Sequence, residues 1–178
     1  SACSYEAREY GVHSAMPIST AYRLCPHGVY LKPNGRRYRE ESEEIRRIFS
    51  DFTPVIEPIS VDEAFLDVSG SHRMFGTSED IGRAVKRRIL EETGLVASVG
   101  IAPTKFVAKI ASDFDKPDGF TVVGDDEAET FLAPLPVKKM WGVGKATAER
   151  LSKLGIRTIG DIAAFPAGEL ERMFGVHG

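Results

Sequence analysis

Apolar residues recur at helical spacing over residues 36–52, where Glu, Arg and Ser fill the intervening positions. This pattern predicts an amphipathic helix. Two short runs of β-favouring residues follow, Pro54–Ser60 and Ala64–Val68, and the break between them contains Asp62 and Glu63. Such runs around a short polar break predict a hairpin with two neighbouring acids at its turn.

Helix and strand patterns then alternate. The sequence predicts a helix over Ser78–Thr93, with Thr77 or Ser78 as its N-cap and Gly94 as its stop. Leu95–Ile101 alternates loosely between apolar and polar residues and is expected to form a strand.

A second helix is expected to begin at Pro103, which has the fixed φ suited to a first helical turn. Its apolar face lies opposite Lys105 and Lys109, and it should end before Lys116. Gly119–Val123 is the last predicted strand. The resulting order, helix, strand, strand, helix, strand, helix, strand, is typical of an α+β layer, an antiparallel or mixed sheet with helices on one face.

The pattern changes character near Gly35 and again near Gly124, where turn-forming residues interrupt it. The first stretch should be small and partly helical. The last stretch reads as all helical, with short helices joined by glycine-rich turns. We therefore expect three parts, 1–34, 35–123 and 124–178, the last containing helices over Glu127–Leu132, Lys145–Leu154 and Thr158–Ala164.

The composition is that of an ordinary globular protein, with 42% hydrophobic and 28% charged residues among 178. The sequence contains no apolar run of membrane-spanning length, so we expect no membrane partner and a cytoplasmic location. A net charge of −3 argues against a protein that coats nucleic acid nonspecifically. Residues 137–157 are nevertheless locally basic, since Glu149 is their single acid.

Cysteine and histidine do not suggest a metal or disulfide framework. Cys3 and Cys25 are the two cysteines and are expected to be structural thiols. The four histidines lack the spacing of zinc ligands, so a zinc site is not predicted; they are His13, His27, His72 and His177.

Asp62 and Glu63 are the strongest candidates for chemistry. Neighbouring carboxylates repel each other unless a divalent cation supplies opposite charge, and Mg²⁺ prefers oxygen ligands. The two side chains can converge only if the turn breaks the strand alternation, which otherwise points them to opposite faces. A solvated turn with unremarkable acids is the alternative on spacing alone.

Cationic residues suited to phosphate binding lie in polar segments that flank this acidic turn. Arg offers a planar fork and Lys a point charge, while Tyr adds a hydroxyl or a stacking face. Each residue alone is also compatible with a solvated surface role. The set comprises Tyr5, Arg8 and Lys116, with Lys105 or Lys109 as open additions.

Gly142, Gly144 and Lys145 precede a predicted helix and form a third candidate site. Glycines let the backbone approach a ligand closely, and the free N–H groups of a helix N-terminus can hold a phosphate of a nucleic acid. The alternative is a tight turn between helices. A Walker phosphate loop is excluded because Lys139 stands at its first glycine position.

A calcium loop over Asp113, Asp115 and Asp118 is also excluded. Pro117 and Gly124 occupy ligand positions of such a loop.

Four ordered segments make the sequence resemble the Y-family translesion DNA polymerases, in particular the DNA polymerase IV branch. They are Y-E-A-R-E-Y-G-V-H-S-A-M-P at Tyr5 to Pro17, S-V-D-E-A-F-L-D-V at Ser60 to Val68, S-V-G-I-A-P-T-K-F-V-A-K-I-A-S-D-F-D-K-P-D-G at Ser98 to Gly119, and G-V-G-K at Gly142 to Lys145. The likeness spans essentially the whole chain.

The resemblance implies a right-hand architecture: partial fingers at 1–34, most of a ferredoxin-like palm at 35–123, and a helical thumb with a helix-hairpin-helix at 124–178. It implies that Asp62 and Glu63 bind two Mg²⁺ ions. It also implies that Tyr5, Arg8 and Lys116 contact the triphosphate of the incoming deoxynucleotide. The glycine turn, with Gly142, Gly144 and Lys145, would hold the backbone of primer–template DNA.

Two family features lie outside this chain. One is the opening palm strand, with the third metal-binding Asp and the aromatic residue that excludes ribonucleotides. The other is the C-terminal little finger, with any segment that binds a sliding clamp. We therefore expect the chain alone to be inactive. A noncatalytic DNA-binding or scaffold relative is the alternative, although such a protein has little physical reason to keep adjacent acids together with triphosphate donors.

Overall fold

The computed structural model describes residues 2–175, so His177 lies outside the described part. The chain divides into two compact units, Ser1–Glu41 and Ser42–Gly178. This division falls inside one long helix. The three-part division at residues 34 and 123 stays a prediction.

The first unit is small and helical. Helix α1, Tyr5–Glu9, begins after Ser4, whose Oγ accepts a hydrogen bond from the N–H of Ala7 at 3.3 Å. Helix α2 spans Ile18–Leu24. The core of this unit contains Val12, Ala21 and Cys25, with Cys3, Ala7 and Met16 packed against it. Both cysteines are free thiols in or beside this core, as predicted.

Helix α3, Gly35–Ser50, crosses the boundary between the units. In the second unit its apolar residues meet those of helix α5, Ser78–Thr93. The predicted cap of α5 is confirmed, since Thr77 and Asp80 form a reciprocal capping box and Gly94 ends the helix with a left-handed φ of 70°. The shared core consists of Ile48, Phe52, Ile81, Val85 and Ile89.

The predicted hairpin is present. Strand β1, Ile56–Pro58, pairs antiparallel with strand β2, Ala64–Leu66, and Glu57 lies opposite Phe65. A short helix that the pattern did not predict, α4, His72–Phe75, follows the hairpin.

A strand, helix, strand unit comes next. Strand β3, Val99–Ile101, pairs parallel with strand β4, Phe120–Val122, and helix α6, Lys105–Phe114, connects them. Val107, Ile110 and Ala111 are the buried residues of α6, which agrees with the predicted apolar face.

The part that follows β4, up to residue 174, is mainly helical, as predicted. Val137, Leu151 and Ile156 form the core of this region. Its helices are α7, Ala128–Leu132; α8, Lys145–Lys153; α9, Ile159–Ala164; and α10, Ala167–Phe174. The last of these was not predicted.

The α+β class and the order of helices and strands are confirmed, with local differences. The four strands form two separate two-stranded sheets within residues 2–175. The strand predicted from Leu95 begins only at Val99, because Leu95 and Val96 are exposed and gain nothing from sheet burial. Helix α6 begins at Lys105 rather than Pro103, because the side chain of Thr104 caps it. Over residues 2–175, no helix combines the length and apolar character needed to cross a bilayer.

Candidate active site and nucleic-acid interface

The loop of the β1–β2 hairpin presents the two neighbouring acids. The N–H groups of Ile59 and Ser60 both donate to the carbonyl oxygen of Glu63, at 2.9 and 3.2 Å, and so close the turn. The hydroxyl of Ser60 donates to Oδ1 of Asp62 at 2.6 Å. Strand alternation therefore does not set the directions of Asp62 and Glu63, because both residues lie in the loop.

Asp62 and Glu63 differ in their surroundings. Asp62 is exposed, whereas Glu63 is half-buried and its Oε1 accepts a hydrogen bond from Nζ of Lys109 at 2.8 Å. Within residues 2–175, one oxygen of each carboxylate makes a side-chain hydrogen bond and the other makes none. Each acid thus keeps one oxygen available to a ligand.

A line of alternating charges runs from this loop along helix α6. The Nζ of Lys109 also donates to Oδ2 of Asp113 at 2.7 Å, and Oδ1 of Asp113 pairs with Nζ of Lys116 at 2.5 Å. The side chain of Lys109 is 14% exposed, against 35% for Glu63 and 39% for Lys116. The structure therefore connects two of the predicted site residues, Glu63 and Lys116, through two residues of α6.

Ion pairing favours the charged forms of Lys109 and Asp113. Burial disfavours the charged form of Lys109, but hydrogen bonds to Asp113 and Glu63 outweigh it and raise the pKa of Lys109. Burial likewise opposes ionisation of Asp113, while hydrogen bonds from Lys109 and Lys116 hold the pKa of Asp113 below its ordinary value. Lys109 and Asp113 are therefore both charged at neutral pH.

Lys105 contacts the two strands of the hairpin. It forms an ion pair with Glu57 on β1, and its Nζ lies 5.9 Å from the ring centroid of Phe65. The ring of Phe65 also meets the ring of Trp141 edge-on, with centroids 5.9 Å apart. The hairpin thus touches the glycine turn, because Trp141 directly precedes Gly142.

The glycine turn leads into helix α8 as predicted. Gly142 has a φ of +92°, a conformation that few residues besides glycine adopt readily. Gly144 is the N-cap of α8, and within the described residues no side chain caps that end. Lys145, Ala146 and Gly144 are exposed, so the first N–H groups of the helix and the Lys145 ammonium are accessible to an anion.

Tyr5 and Arg8 lie on one face of helix α1 in the first unit. The guanidinium carbon of Arg8 is 4.8 Å from the ring centroid of Tyr5, and both side chains are exposed. The pair presents a cation beside a phenol hydroxyl, the combination of donors that the sequence predicted for phosphate binding.

The donors at the hairpin loop fit a hard divalent cation in kind, because both are carboxylate oxygens. They are two in number: across residues 2–175, no three His, Cys, Asp or Glu side chains converge as a metal site.

The sequence analysis did not predict the ion pairs of Asp113 with Lys109 and Lys116, and it left open whether Lys109 belongs to the site. The signal was present in the spacing, since Lys109 and Asp113 stand four apart and Asp113 and Lys116 three apart, the separations that share a helix face. The long-range pair between Lys109 and Glu63 has no such local signal.

Two family models match the sequence. The model of the impB/mucB/samB family matches residues 1–113, and that of the IMS family HHH motif matches residues 125–156. The second match contains the glycine turn and helix α8.

Curated relatives align over nearly the whole chain. DNA polymerase IV of Alkalilimnicola ehrlichii is 50% identical over 98% of this chain and 49% of its own length. DNA polymerase IV of Listeria monocytogenes serotype 4a is 50% identical over 100% of this chain and 50% of its own. The chain thus spans about half the length of the curated relatives it matches.

Solved structures share the fold. DinB from Sulfolobus solfataricus superimposes with a TM-score of 0.89 at 35% identity, over 97% of this chain and 51% of that one. The insertion ternary complex of Dbh DNA polymerase superimposes with a TM-score of 0.87 at 35% identity, over 96% of this chain and 50% of that one. The chain therefore belongs to the impB/mucB/samB family, within the Y-family branch of DNA polymerase IV that its four sequence motifs indicated.

Proposed function

We propose that this chain forms part of a template-directed DNA polymerase of the translesion type. Such an enzyme adds deoxynucleotides to a primer 3′ end opposite damaged template. The observation that carries the proposal is the line from the acidic hairpin loop to Lys116, because it joins a carboxylate suited to metal binding to a cation suited to a phosphate. The names of the curated relatives support it.

Asp62 and Glu63 are proposed to hold two Mg²⁺ ions, with a third carboxylate supplied by a segment outside this chain. Bound there, the ions would lower the pKa of the primer hydroxyl and neutralise the triphosphate and the leaving pyrophosphate. This proposal is supported by the free oxygens of the two carboxylates, since Ser60 donates to one oxygen of Asp62 and Lys109 pairs with one oxygen of Glu63.

Tyr5, Arg8 and Lys116 are proposed to bind the triphosphate. A guanidinium can bind two phosphate oxygens at once, an ammonium acts as a point charge, and the phenol hydroxyl donates one hydrogen bond. Fixing the reacting groups in line supplies most of the rate in phosphoryl transfer, since little covalent chemistry is left to the protein.

The glycine turn is proposed to bind the backbone of primer–template DNA. Gly142 and Gly144 leave room for a phosphate, the open end of α8 offers N–H donors, and Lys145 adds charge. Contacts of this kind hold DNA without reading its sequence, which suits an enzyme that must accept any template. A sliding clamp, bound outside this chain, is a proposed partner of the full-length protein.

Asp62→Ala in the full-length protein that contains this chain tests the proposal. We expect primer extension to be abolished and the affinity for primer–template DNA to stay nearly unchanged, because Asp62 would bind metal rather than DNA. Glu91→Ala removes an exposed acid on α5 and serves as the matched control.

Primer extension by Asp62→Ala at the wild-type rate would refute the metal assignment. DNA binding without extension by the wild-type protein would instead favour a noncatalytic scaffold relative. The two outcomes are distinguished by the wild-type measurement alone.

A further inference from the structure

Lys109 differs from a lysine in an ordinary surface ion pair, because it is largely buried and pairs with two carboxylates at once. Its Nζ lies between Oε1 of Glu63 and Oδ2 of Asp113, at 2.8 and 2.7 Å, and its side chain is 14% exposed. Glu63 is 46 residues away in the sequence, so this contact is made by the fold rather than by helix spacing.

The geometry gives Lys109 a directional effect on Glu63. A glutamate side chain has three rotatable bonds, and a free one samples many orientations. A charge-assisted hydrogen bond to Oε1 restricts that sampling and leaves Oε2 as the oxygen for a ligand. Asp113 does the same for Lys116, because its Oδ1 anchors an ammonium that would otherwise move on a flexible stem.

We propose that Lys109 and Asp113 are positioning residues, which hold the metal-binding carboxylate of Glu63 and the triphosphate-binding ammonium of Lys116 in a fixed relation. This inference rests on the proposed function. It adds that the metal site and the nucleotide site are coupled through one face of α6. Removal of Lys109 should therefore affect Glu63 more than Lys116, and removal of Asp113 should affect Lys116 more than Glu63.

A comparison within the chain separates this arrangement from a solvated surface pair. Arg87 and Glu91 on α5 have the same four-residue spacing as Lys109 and Asp113, but their closest approach is 3.9 Å and both side chains are more than 60% exposed. Exposed pairs of that kind contribute little. The series of ion pairs from Glu63 through Lys109 and Asp113 to Lys116 is less exposed and continuous, and it ends on two predicted site residues.

The test uses steady-state primer extension by the full-length protein that contains this chain. Lys109→Met removes the charge at similar length, Lys109→Arg keeps it, and Asp113→Asn removes the anchor of Lys116. Arg87→Met and Glu91→Gln make the same changes in net charge on α5 and serve as controls. For each variant kcat, KM for the nucleotide and the Mg²⁺ concentration for half-maximal rate are measured.

We expect Lys109→Met to lower kcat and to raise the half-saturating Mg²⁺ concentration by about 10- to 100-fold, the usual effect of losing a group that orients a metal ligand. Lys109→Arg should recover part of the loss. Asp113→Asn should raise KM for the nucleotide more than it lowers kcat, because Lys116 keeps its charge but loses its anchor. If the two residues only stabilised the fold, Lys109→Met would not act mainly on the Mg²⁺ dependence while Asp113→Asn acts mainly on KM for the nucleotide.

Unchanged kinetics for both Lys109→Met and Asp113→Asn in an active enzyme would overturn the inference. Tighter Mg²⁺ binding by Lys109→Met would overturn it as well, since Lys109 would then act only as a charge that competes with the metal. If Lys109→Met does not fold, Asp113→Asn decides, because that side chain is 38% exposed and its loss leaves the core intact. An inactive wild-type protein, or an active Asp62→Ala variant, counts against the proposed function instead.

Discussion

Among the glycines of the described residues, Gly100 on strand β3 is the one where an added Cβ should destabilise the fold most. A Cβ at Gly100 would lie 2.3 Å from the carbonyl oxygen of Ala108 and 2.3 Å from the N–H nitrogen of Ser112. Both atoms belong to the backbone of α6, so no change of side-chain rotamer can relieve the clash. The substitution Gly100→Ala must move the helix away from the strand.

The expected loss of folding stability follows from the packing of helix α6 against strand β3. Overpacking a well-filled core costs about 1–3 kcal/mol and occasionally more, and the backbone clash places Gly100→Ala at about 3 kcal/mol or above. In a domain of this size each kcal/mol lowers Tm by about 2–4 °C. We therefore expect Tm to fall by about 6–12 °C, and primer extension to fall as well, since α6 carries Lys109 and Asp113.

Thermal and urea unfolding of three alanine variants provide the assay. In Gly82→Ala the new Cβ would meet the ends of the side chains of Ile101 and Phe120, at 2.9 and 3.2 Å, and these ends can shift. We expect a smaller loss there. Gly168→Ala adds a methyl in open space on α10 and should be neutral or stabilising by up to about 1 kcal/mol. Equal Tm values for Gly100→Ala and Gly168→Ala would refute the close approach of β3 and α6.

Two further predictions concern the cap of α5 and the DNA interface. Hydrogen bonds from the side chain and N–H of Thr77 lower the pKa of Asp80, so the stability that ionised Asp80 contributes is present above about pH 4 and is lost as the pH falls through the lowered pKa. Urea unfolding should show Asp80→Asn less stable than wild type at pH 7, with the difference shrinking in acid; a constant difference would contradict the cap. Lys145→Ala should weaken DNA binding modestly and reduce the slope of log affinity against log salt by about 0.9, one phosphate contact, by fluorescence anisotropy. An unchanged slope, as expected for the control Arg87→Ala, would count against the contact.

Local signals were sufficient to predict most helices and strands. Thr77, Gly94 and the periodic apolar residues between them define α5 from the sequence alone, because capping and amphipathicity act over a few residues. Helix α10 was missed even though Pro166 precedes it. The three-residue strands are shorter than the predicted runs because sheet pairing, which no local pattern reports, decides where each one ends.

Part of the candidate site could be predicted from the sequence, and part depends on the fold. Adjacent acids at a hairpin loop and glycines before a helix can be read directly from the sequence, and both lie where predicted. The partner of Glu63 cannot be read in this way, because Lys105 and Lys109 are the same residue type and stand on the same helix. Their difference is one of burial in the folded chain, 59% exposed for Lys105 against 14% for Lys109.

Helix α6 explains how the two small sheets are held together within the second unit. It packs on β3 and β4, while Lys105 binds Glu57 on strand β1 and Lys109, one turn further along, binds Glu63 in the hairpin loop. The Lys105 pair is exposed on both sides and should contribute little, so the less exposed Lys109 is the contact that fixes the loop. A helix anchored through its apolar face on one sheet thus sets the position of an acidic loop on the other, and a perturbation at Gly100 should reach Glu63 through it.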